Sequence, residues 1–76
     1  MIKEFERVFL TEDLKDTPYV KGDVGVVAHI YENGKGFEVE FFSVDGSTLS
    51  VETALAHQIK SCAGVKSVLH ILNKAA

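Results

Sequence analysis

The stretch VGVVAHIYENGKGFEVEFFSV, residues 24–44, decides the fold because it contains two β-rich runs on either side of an Asn-Gly pair. The runs cover residues 24–32 and 36–44 and are dominated by Val and Phe, which favour strands. Asn33-Gly34 is a strong signal for a tight hairpin turn, since both residues tolerate a positive φ. The sequence therefore predicts an antiparallel hairpin at its centre.

The hydrophobic pattern selects one register for this hairpin. If Asn33-Gly34 forms the turn, Glu32 pairs with Lys35. The facing residues on one side are then all apolar: Ile30 with Phe37, Ala28 with Val39, and Val26 with Phe41. The other side carries His29 against Glu38 and Val27 against Glu40. A shift by one residue would set Ile30 against Glu38, so the pattern rejects it.

Further short runs extend the sheet on both sides of the hairpin. Residues 4–11 and 48–54 read as strands, and LAHQIK, residues 55–60, predicts a short helical turn. Phe41 and Phe42 point to opposite faces of a regular strand, so either both faces are covered or a bulge re-aims one ring. The predicted core is Val8, Leu10, Val24, Val26, Ala28, Ile30, Phe37, Val39, Phe41, Leu49, Val51 and Ile59.

Composition limits the chain to one small domain. It has 76 residues, of which 46% are hydrophobic and 25% charged, and its formal net charge is -3. An acidic balance argues against non-specific binding to nucleic acid, which depends on basic surface. The lone Cys62 cannot form an intrachain disulfide, and the charged N-terminus lacks the apolar segment of a signal peptide. No apolar run is long enough to span a bilayer. We therefore expect a cytoplasmic protein without a membrane segment.

Three segments together resemble a small bacterial family of uncharacterised domains that look like short SH3-like β-barrels. They are KGDVGVVAHIY (21–31), NGKGFEVEFFSVDGSTL (33–49) and ETALAHQIK (52–60). The resemblance covers about residues 2–60. It implies a mainly β fold, a small five-stranded SH3-like antiparallel barrel over residues 1–60. The Gly22-Asp23-x-Gly25-x-Val27 stretch is also similar to ribosome- and transcription-associated SH3-like domains, and its glycines suit a turn and a bulge with positive φ.

Residues 61–76 form a C-terminal extension beyond that resemblance. Val65, Val68, Leu69 and Leu72 recur at helical spacing, which predicts an added amphipathic helix. The alternative is a strand over residues 65–72, with Val65, Leu69 and Ile71 on one face. The apolar stripe must cover its own barrel or meet another chain. Because a small barrel already fills its interior, we favour another chain. Val65, Val68, Leu69 and Leu72 are thus the candidate oligomer interface.

No constellation of reactive residues predicts catalysis, a metal or a cofactor. His57 and Cys62 lack the ligand spacing of a metal site, and no phosphate-binding loop is present. A Cys-His pair would need a thiolate and an orienting third group, so Cys62 reads as a small packed residue. Glu38 and Glu40 share one strand face, where acid-base work is an alternative to simple solvation.

Binding of a partner fits the sequence better than catalysis does. The long loop of residues 11–23 is of a length that is often functional, and in SH3-like barrels the corresponding loop borders the usual binding surface. The candidate partner-binding residues are Leu14, Tyr19, Tyr31 and Phe42. The alternative is that Tyr19 and Val20 simply close the barrel. We expect a non-enzymatic, self-associating module that binds a protein. A nucleic-acid-associated domain and a small enzyme using Cys62 or the paired glutamates are the alternatives.

Overall fold

The computed structural model describes residues 1–63, which form five strands. We label them β1 (Arg7–Leu10), β2 (Val24–Ile30), β3 (Gly36–Phe42), β4 (Thr48–Leu55) and β5 (Ile59–Ser61). Single 3-10 turns at Glu32–Gly34 and Ala56–Gln58 connect β2 to β3 and β4 to β5. The predicted C-terminal helix lies outside the described residues.

The strands form one antiparallel sheet in the order β4-β3-β2-β1-β5. A mainly β fold with five antiparallel strands is thus confirmed. The sheet is not closed, so β4 and β5 are its two edges. Residues 55–60, predicted as a helical turn, divide into a 3-10 turn and the start of β5, where Ile59 returns to the core opposite Leu10.

The central hairpin forms with its turn at the predicted place. Asn33 and Gly34 adopt φ of 66° and 63°, and Tyr31 N–H donates to Gly36 O at 2.9 Å. The pairs Ile30 with Phe37 and His29 with Glu38 are confirmed. These contacts fix the end of the hairpin nearest the turn in the register expected from the sequence.

Beyond Ala28 the predicted register is wrong because β2 contains a bulge between Val27 and His29. Val27 pairs with Val39, and Val26 pairs with Glu40. The predicted pairs Ala28 with Val39, Val26 with Phe41 and Val27 with Glu40 therefore do not form. One extra residue exchanges the two faces of the strand. As a result, Val27 is fully buried, whereas Val24, Val26 and Ala28, predicted as core, are half-buried.

A second irregularity, in β4, moves Val51 out of the core. Phe41 pairs with Ser50 and Phe42 with Thr48, so Leu49 is the extra residue. Leu49 packs against the core, but Val51, two residues on, pairs with Glu40 and is 47% exposed. The prediction that Val51 is a core residue is wrong for this reason.

The core lies on one face of the sheet, which we call the inner face. Of the predicted core residues, six are buried and two more, Ile30 and Leu49, pack against them. The six are Val8, Leu10, Phe37, Val39, Phe41 and Ile59. Four buried hydrophobic residues were not predicted as core: Leu14, Tyr19, Val27 and Ala54.

The two glycines of the Gly-Asp-x-Gly-x-Val stretch have different structural roles. Gly22 adopts φ of 92°, as expected for a turn, and its N–H donates to Leu10 O at 2.8 Å. Gly25 does not have positive φ, so that part of the expectation is wrong. A Cβ on Gly25 would lie 2.5 Å from Val39 Cγ1 and 2.9 Å from Glu40 O. Gly25 is therefore required by the close approach of β2 to β3.

Candidate interaction surface

The loop between β1 and β2 is built into the core through Tyr19. The Tyr19 ring stacks on Phe41 with centroids 3.9 Å apart and planes inclined by 13°, and its exposed fraction is 2%. Leu14, from the same loop, is also buried. Two of the four predicted partner-binding residues are therefore core residues in this structure. Tyr19 closes the inner face, as the alternative interpretation held, while Val20 remains exposed.

Hydrogen bonds within the loop explain why a long polar segment is ordered. Thr17 Oγ1 donates to Leu14 O at 2.9 Å and accepts the Tyr19 N–H at 3.1 Å. The buried Asp23 accepts the Val20 N–H at 2.9 Å. These bonds hold Tyr19 over the core, so the loop is a structural cover of the inner face.

Tyr19 also starts a chain of hydroxyl hydrogen bonds toward the edge of the sheet. Ser50 Oγ donates to Glu52 Oε2 at 2.8 Å and lies 2.6 Å from the Tyr19 hydroxyl. A serine has one hydroxyl proton, so Tyr19 must be the donor to Ser50. The chain satisfies the polar end of a buried ring, which is the usual requirement for a buried tyrosine.

The opposite face of β2, β3 and β4, which we call the outer face, carries apolar side chains that the core does not use. The cross-strand register sets Val26, Glu40 and Val51 in one row, because Glu40 pairs with both valines. Phe42 follows on the same face, beside Thr48. Val51 is 47% exposed, and Val26 and Phe42 are half-buried. Phe42, a predicted partner-binding residue, thus lies on the same face as two valines that were predicted as core.

A polar and aromatic cluster borders this apolar row. Glu38 Oε2 accepts the Tyr31 hydroxyl at 2.7 Å and the Thr53 hydroxyl at 2.6 Å. The His29 ring meets the Tyr31 ring edge-on, with centroids 4.9 Å apart. Tyr31 remains 45% exposed. The cluster fixes the ring of Tyr31, a predicted partner-binding residue, while leaving much of its surface accessible.

The bond to Glu38 raises the pKa of Tyr31 above its ordinary value of 10.0. Hydrogen bonding to Glu38 is the largest cause, followed by desolvation and by the negative charge of Glu38. All three favour the neutral phenol. Tyr31 is therefore a hydrogen-bond donor at neutral pH and not a base.

An apolar pocket of about 550 Å³ opens at the end of the sheet near the β2–β3 turn. Its lining residues are Met1, Ile2, Ile30, Asn33, Gly34, Phe37 and Ala56. None of these side chains is charged. No local sequence pattern indicates this pocket, since its lining comes from five separate stretches of the chain.

The surroundings of the Cys62 thiol disfavour its ionised form. Desolvation raises the pKa of Cys62, the nearby charge of Arg7 lowers it, and the charge of Glu6 raises it, with a net increase. A raised pKa keeps the thiol protonated, whereas a reactive cysteine needs the thiolate. The Cys62 N–H donates to Arg7 O at 3.0 Å, which extends the pairing of β5 with β1.

The paired glutamates of β3 are engaged in local hydrogen bonds. Glu38 accepts from Tyr31 and Thr53, and Glu40 accepts the Thr48 hydroxyl at 2.6 Å. His57 Nε2 lies 3.7 Å from Glu12 Oε1, and both side chains are exposed. Across residues 1–63, no group of three or more His, Cys, Asp or Glu side chains is placed to hold a metal ion. The arrangement of these acids suits a hydrated strand face.

The predicted oligomer interface, Val65, Val68, Leu69 and Leu72, lies outside the described residues. In the part of the chain that the structure describes, no helix is long and apolar enough to cross a membrane.

Comparison with known protein families identifies a match. A family model described as a domain of unknown function, DUF4926, matches residues 4–61, which include all five strands. No curated protein and no solved structure matches the chain.

Proposed function

The chain belongs to the DUF4926 family of domains of unknown function, and we propose that it is a non-enzymatic interaction module. Its contact surface in this proposal is the outer face, and the partner is a protein. The observation that carries the proposal is the apolar row on the outer face: Val26, Phe42 and Val51 stay partly or largely exposed and are not used by the core. Exposed apolar patches with a polar rim are typical of protein-binding sites.

The side chains of the outer face favour protein binding over catalysis. Aromatic residues are enriched at protein interfaces, and Tyr31 and Phe42 provide two of them here. Tyr31 is already held by Glu38, so ordering its side chain on binding costs less conformational entropy. We therefore retain Tyr31 and Phe42 as partner-binding residues, and add Val26 and Val51.

The charge of the surface defines the chemistry of the partner. All eleven acidic residues of the chain lie in residues 1–63, together with six of the eight basic residues. Glu38 and Glu40 lie on the outer face itself. The partner should present an apolar patch bordered by Lys or Arg, because complementary charge steers association and rejects wrong partners. A polyanion such as RNA would be repelled by the same carboxylates.

The proposed architecture is an SH3-like barrel left open at one side. The strand order β4-β3-β2-β1-β5, the long β1–β2 loop and the 3-10 turn before β5 support this assignment.

The module also self-associates in this proposal, with Val65, Val68, Leu69 and Leu72 as the apolar contribution of the C-terminal segment. Such association would add buried surface to a domain whose size limits its own core.

Affinity capture with three matched baits tests the proposal that the outer face binds a protein partner. The baits are the unmodified chain, Phe42→Lys on the outer face, and Val44→Lys in the β3–β4 turn, where Val44 is 64% exposed. Proteins captured from a lysate of the source organism are quantified after all three baits are shown to be folded. We expect a protein retained by the unmodified and Val44→Lys baits and lost from Phe42→Lys. Equal capture by all three baits would contradict the outer face as the contact surface.

A further inference from the structure

The outer face carries positive charge on one side of β2 and negative charge on the other. The register sets Arg7 of β1, Val26 of β2 and Glu40 of β3 in one row, because Val26 pairs with both charged residues. Lys60 of β5 lies beyond β1 on the same face, since it pairs with Phe9, two residues along β1 from Arg7. The basic side chains of this face are thus on β1 and β5, and the acidic ones are on β3.

Apolar side chains occupy the next row, and they are also arranged symmetrically about β2. Phe9 of β1 pairs with Val24 of β2, and Phe42 follows on the same face of β3, two residues after Glu40. Phe9, Val24 and Phe42 are half-buried, as Val26 is, so part of each side chain remains accessible. The centre of the face is therefore two valines, with an aromatic ring on the strand to either side.

The charged groups of the outer face lack ion-pair partners in the part of the chain that the structure describes. Neither Arg7 nor Lys60 forms an ion pair with a carboxylate of residues 1–63. Arg7 and Glu40 are two strand spacings apart, about 10 Å at the usual spacing, so they do not pair with each other. Glu38 and Glu40 accept hydrogen bonds from neutral hydroxyl groups. A bound partner could therefore supply the opposite charge on both sides.

We infer that the protein bound by the outer face is a second copy of this chain, packed face to face about a two-fold axis parallel to β2. The inference rests on the proposed function, in which this face binds a protein with an apolar patch bordered by Lys or Arg. The outer face itself has that composition. Rotation about an axis along β2 brings β1 of each copy over β3 of the other. The strands of the two sheets then run in nearly the same direction, as in aligned sheet packing.

The contacts produced by this axis are complementary in charge and in shape. Arg7 of each copy faces Glu40 of the second copy, because the two residues lie one strand to either side of Val26. Phe9 faces Phe42 of the second copy in the same way, and Val26 meets its own counterpart on the axis. An interface between identical copies requires one patch to complement itself in this manner.

The charges also exclude the other simple arrangement. A two-fold axis running across the strands would set β3 of one copy over β3 of the other. Glu38 and Glu40 of the two copies would then lie together, and juxtaposed like charges are unfavourable at an interface. The charge distribution therefore indicates both the occupant of the face and the direction of the axis.

Sedimentation equilibrium of two charge-reversal variants of the full chain tests the inference. Arg7→Glu and Glu40→Arg each set like charges against each other at both charged contacts, so each should weaken self-association by about tenfold or more. An equimolar mixture of the two variants should recover the association of the unmodified chain, because every such contact then joins opposite charges. Lys15→Glu makes the same charge change at an exposed residue of the β1–β2 loop and should leave association unchanged. Circular dichroism melts establish that each variant is folded.

Methyl NMR of the unmodified chain provides a test that needs no variant. The methyl resonances of Val24 and Val26 should shift as protein concentration rises, whereas those of Val44, which is 64% exposed in the β3–β4 turn, should not. Shifts at Val24 and Val26 that do not depend on concentration would overturn the inference. The same conclusion would follow from Arg7→Glu associating like the unmodified chain, or from a mixture without recovery.

Two further outcomes separate the inference from the proposed function. Association that Leu69→Lys abolishes and Arg7→Glu does not would overturn the outer face as the contact between copies, while leaving the proposed self-association standing. A chain that stays monomeric at all concentrations, and captures a different protein that the Phe42→Lys bait loses, would overturn the second copy but keep the outer face as a protein-binding surface. A monomer that captures no protein would remove both.

Discussion

Tyr19 lies flat on Phe41, with ring centroids 3.9 Å apart, and its hydroxyl lies 2.6 Å from Ser50 Oγ. The contact joins the β1–β2 loop to β3 by stacking and to β4 by a hydrogen bond. Tyr19, which the sequence suggests as a partner-binding residue, therefore covers the core.

Removing the Tyr19 ring should destabilise the fold strongly. Truncating a buried aromatic to Ala typically costs about 3–5 kcal/mol, so Tyr19→Ala should lower the free energy of unfolding by roughly that amount. Tyr19→Phe keeps the stack and loses the bond to Ser50, for a cost of about 0.5–1.5 kcal/mol. Urea unfolding followed by circular dichroism measures both. Val20→Ala, at the exposed neighbouring residue, should change stability by less than about 0.5 kcal/mol. Equal effects of the two alanine variants would contradict the role given to Tyr19.

Gly25 and Gly36 should respond oppositely to the same substitution. A Cβ at Gly25 would meet Val39 Cγ1 at 2.5 Å and a backbone oxygen at 2.9 Å, so Gly25→Ala should cost about 1–3 kcal/mol through overpacking. A Cβ at Gly36 would meet its nearest atom, in the Tyr31 ring, at 3.4 Å. Gly36→Ala should therefore be neutral or stabilise by up to about 1 kcal/mol, because the unfolded chain loses freedom. Denaturant midpoints decide between these outcomes, and a neutral Gly25→Ala would show that β2 and β3 can separate at this point.

Acidification should weaken the β3–β4 turn through Asp45. The Ser43 hydroxyl, the Ser47 N–H and the Ser47 hydroxyl bond its carboxylate and lower the pKa of Asp45 from 3.8 to about 2. Because folding lowers this pKa, the stabilisation is fully present above pH 3.8 and is lost as the pH falls toward about 2. Melting temperatures measured from pH 6 to pH 2 should fall less steeply for Asp45→Asn than for the unmodified chain. Parallel curves would show that Asp45 contributes nothing to the pH dependence.

The titration of Tyr31 should depend on Glu38 and not on Glu40. The bond to Glu38 raises the pKa of Tyr31 above 10.0, so Glu38→Ala should lower this pKa toward the ordinary value. Glu40, whose carboxylate accepts from Thr48, provides the matched control, and Glu40→Ala should leave the titration of Tyr31 unchanged. Ultraviolet absorbance of the phenolate in the Tyr19→Phe background reports Tyr31 alone. A titration that Glu38→Ala does not move would mean that the hydrogen bond is absent in solution.

The sequence predicted the parts of this fold that local pattern controls. Asn33-Gly34 located the hairpin turn, and Phe37, Val39 and Phe41 were correctly placed in the core because β3 alternates strictly. Strand β2 offers no such guide, since Val26, Val27 and Ala28 are consecutive apolar residues and fit the core in either register. The bulge that places Val27 in the core depends on the packing of the whole sheet. The two-residue periodicity of one strand does not predict it.

The residues of the candidate interaction surface were harder to predict from the sequence, for a related reason. Tyr31 is exposed and Phe42 is half-buried, so both remain predicted partner-binding residues. Leu14 and Tyr19 are buried because hydrogen bonds order a loop that has no periodicity. Val51 reached the outer face because of the extra residue at Leu49. Both differences between the expected and the observed positions follow from irregular backbone.

Photo-cross-linking in cells tests the outer face most directly. A photoreactive phenylalanine analogue replaces Tyr31, Phe42 or Val20 in turn, where Val20 is the exposed apolar residue of the loop over the inner face. The account predicts that irradiation links a protein partner to the chain through positions 31 and 42 and not through position 20. Cross-links formed at position 20 alone would contradict it and return the contact surface to the loop.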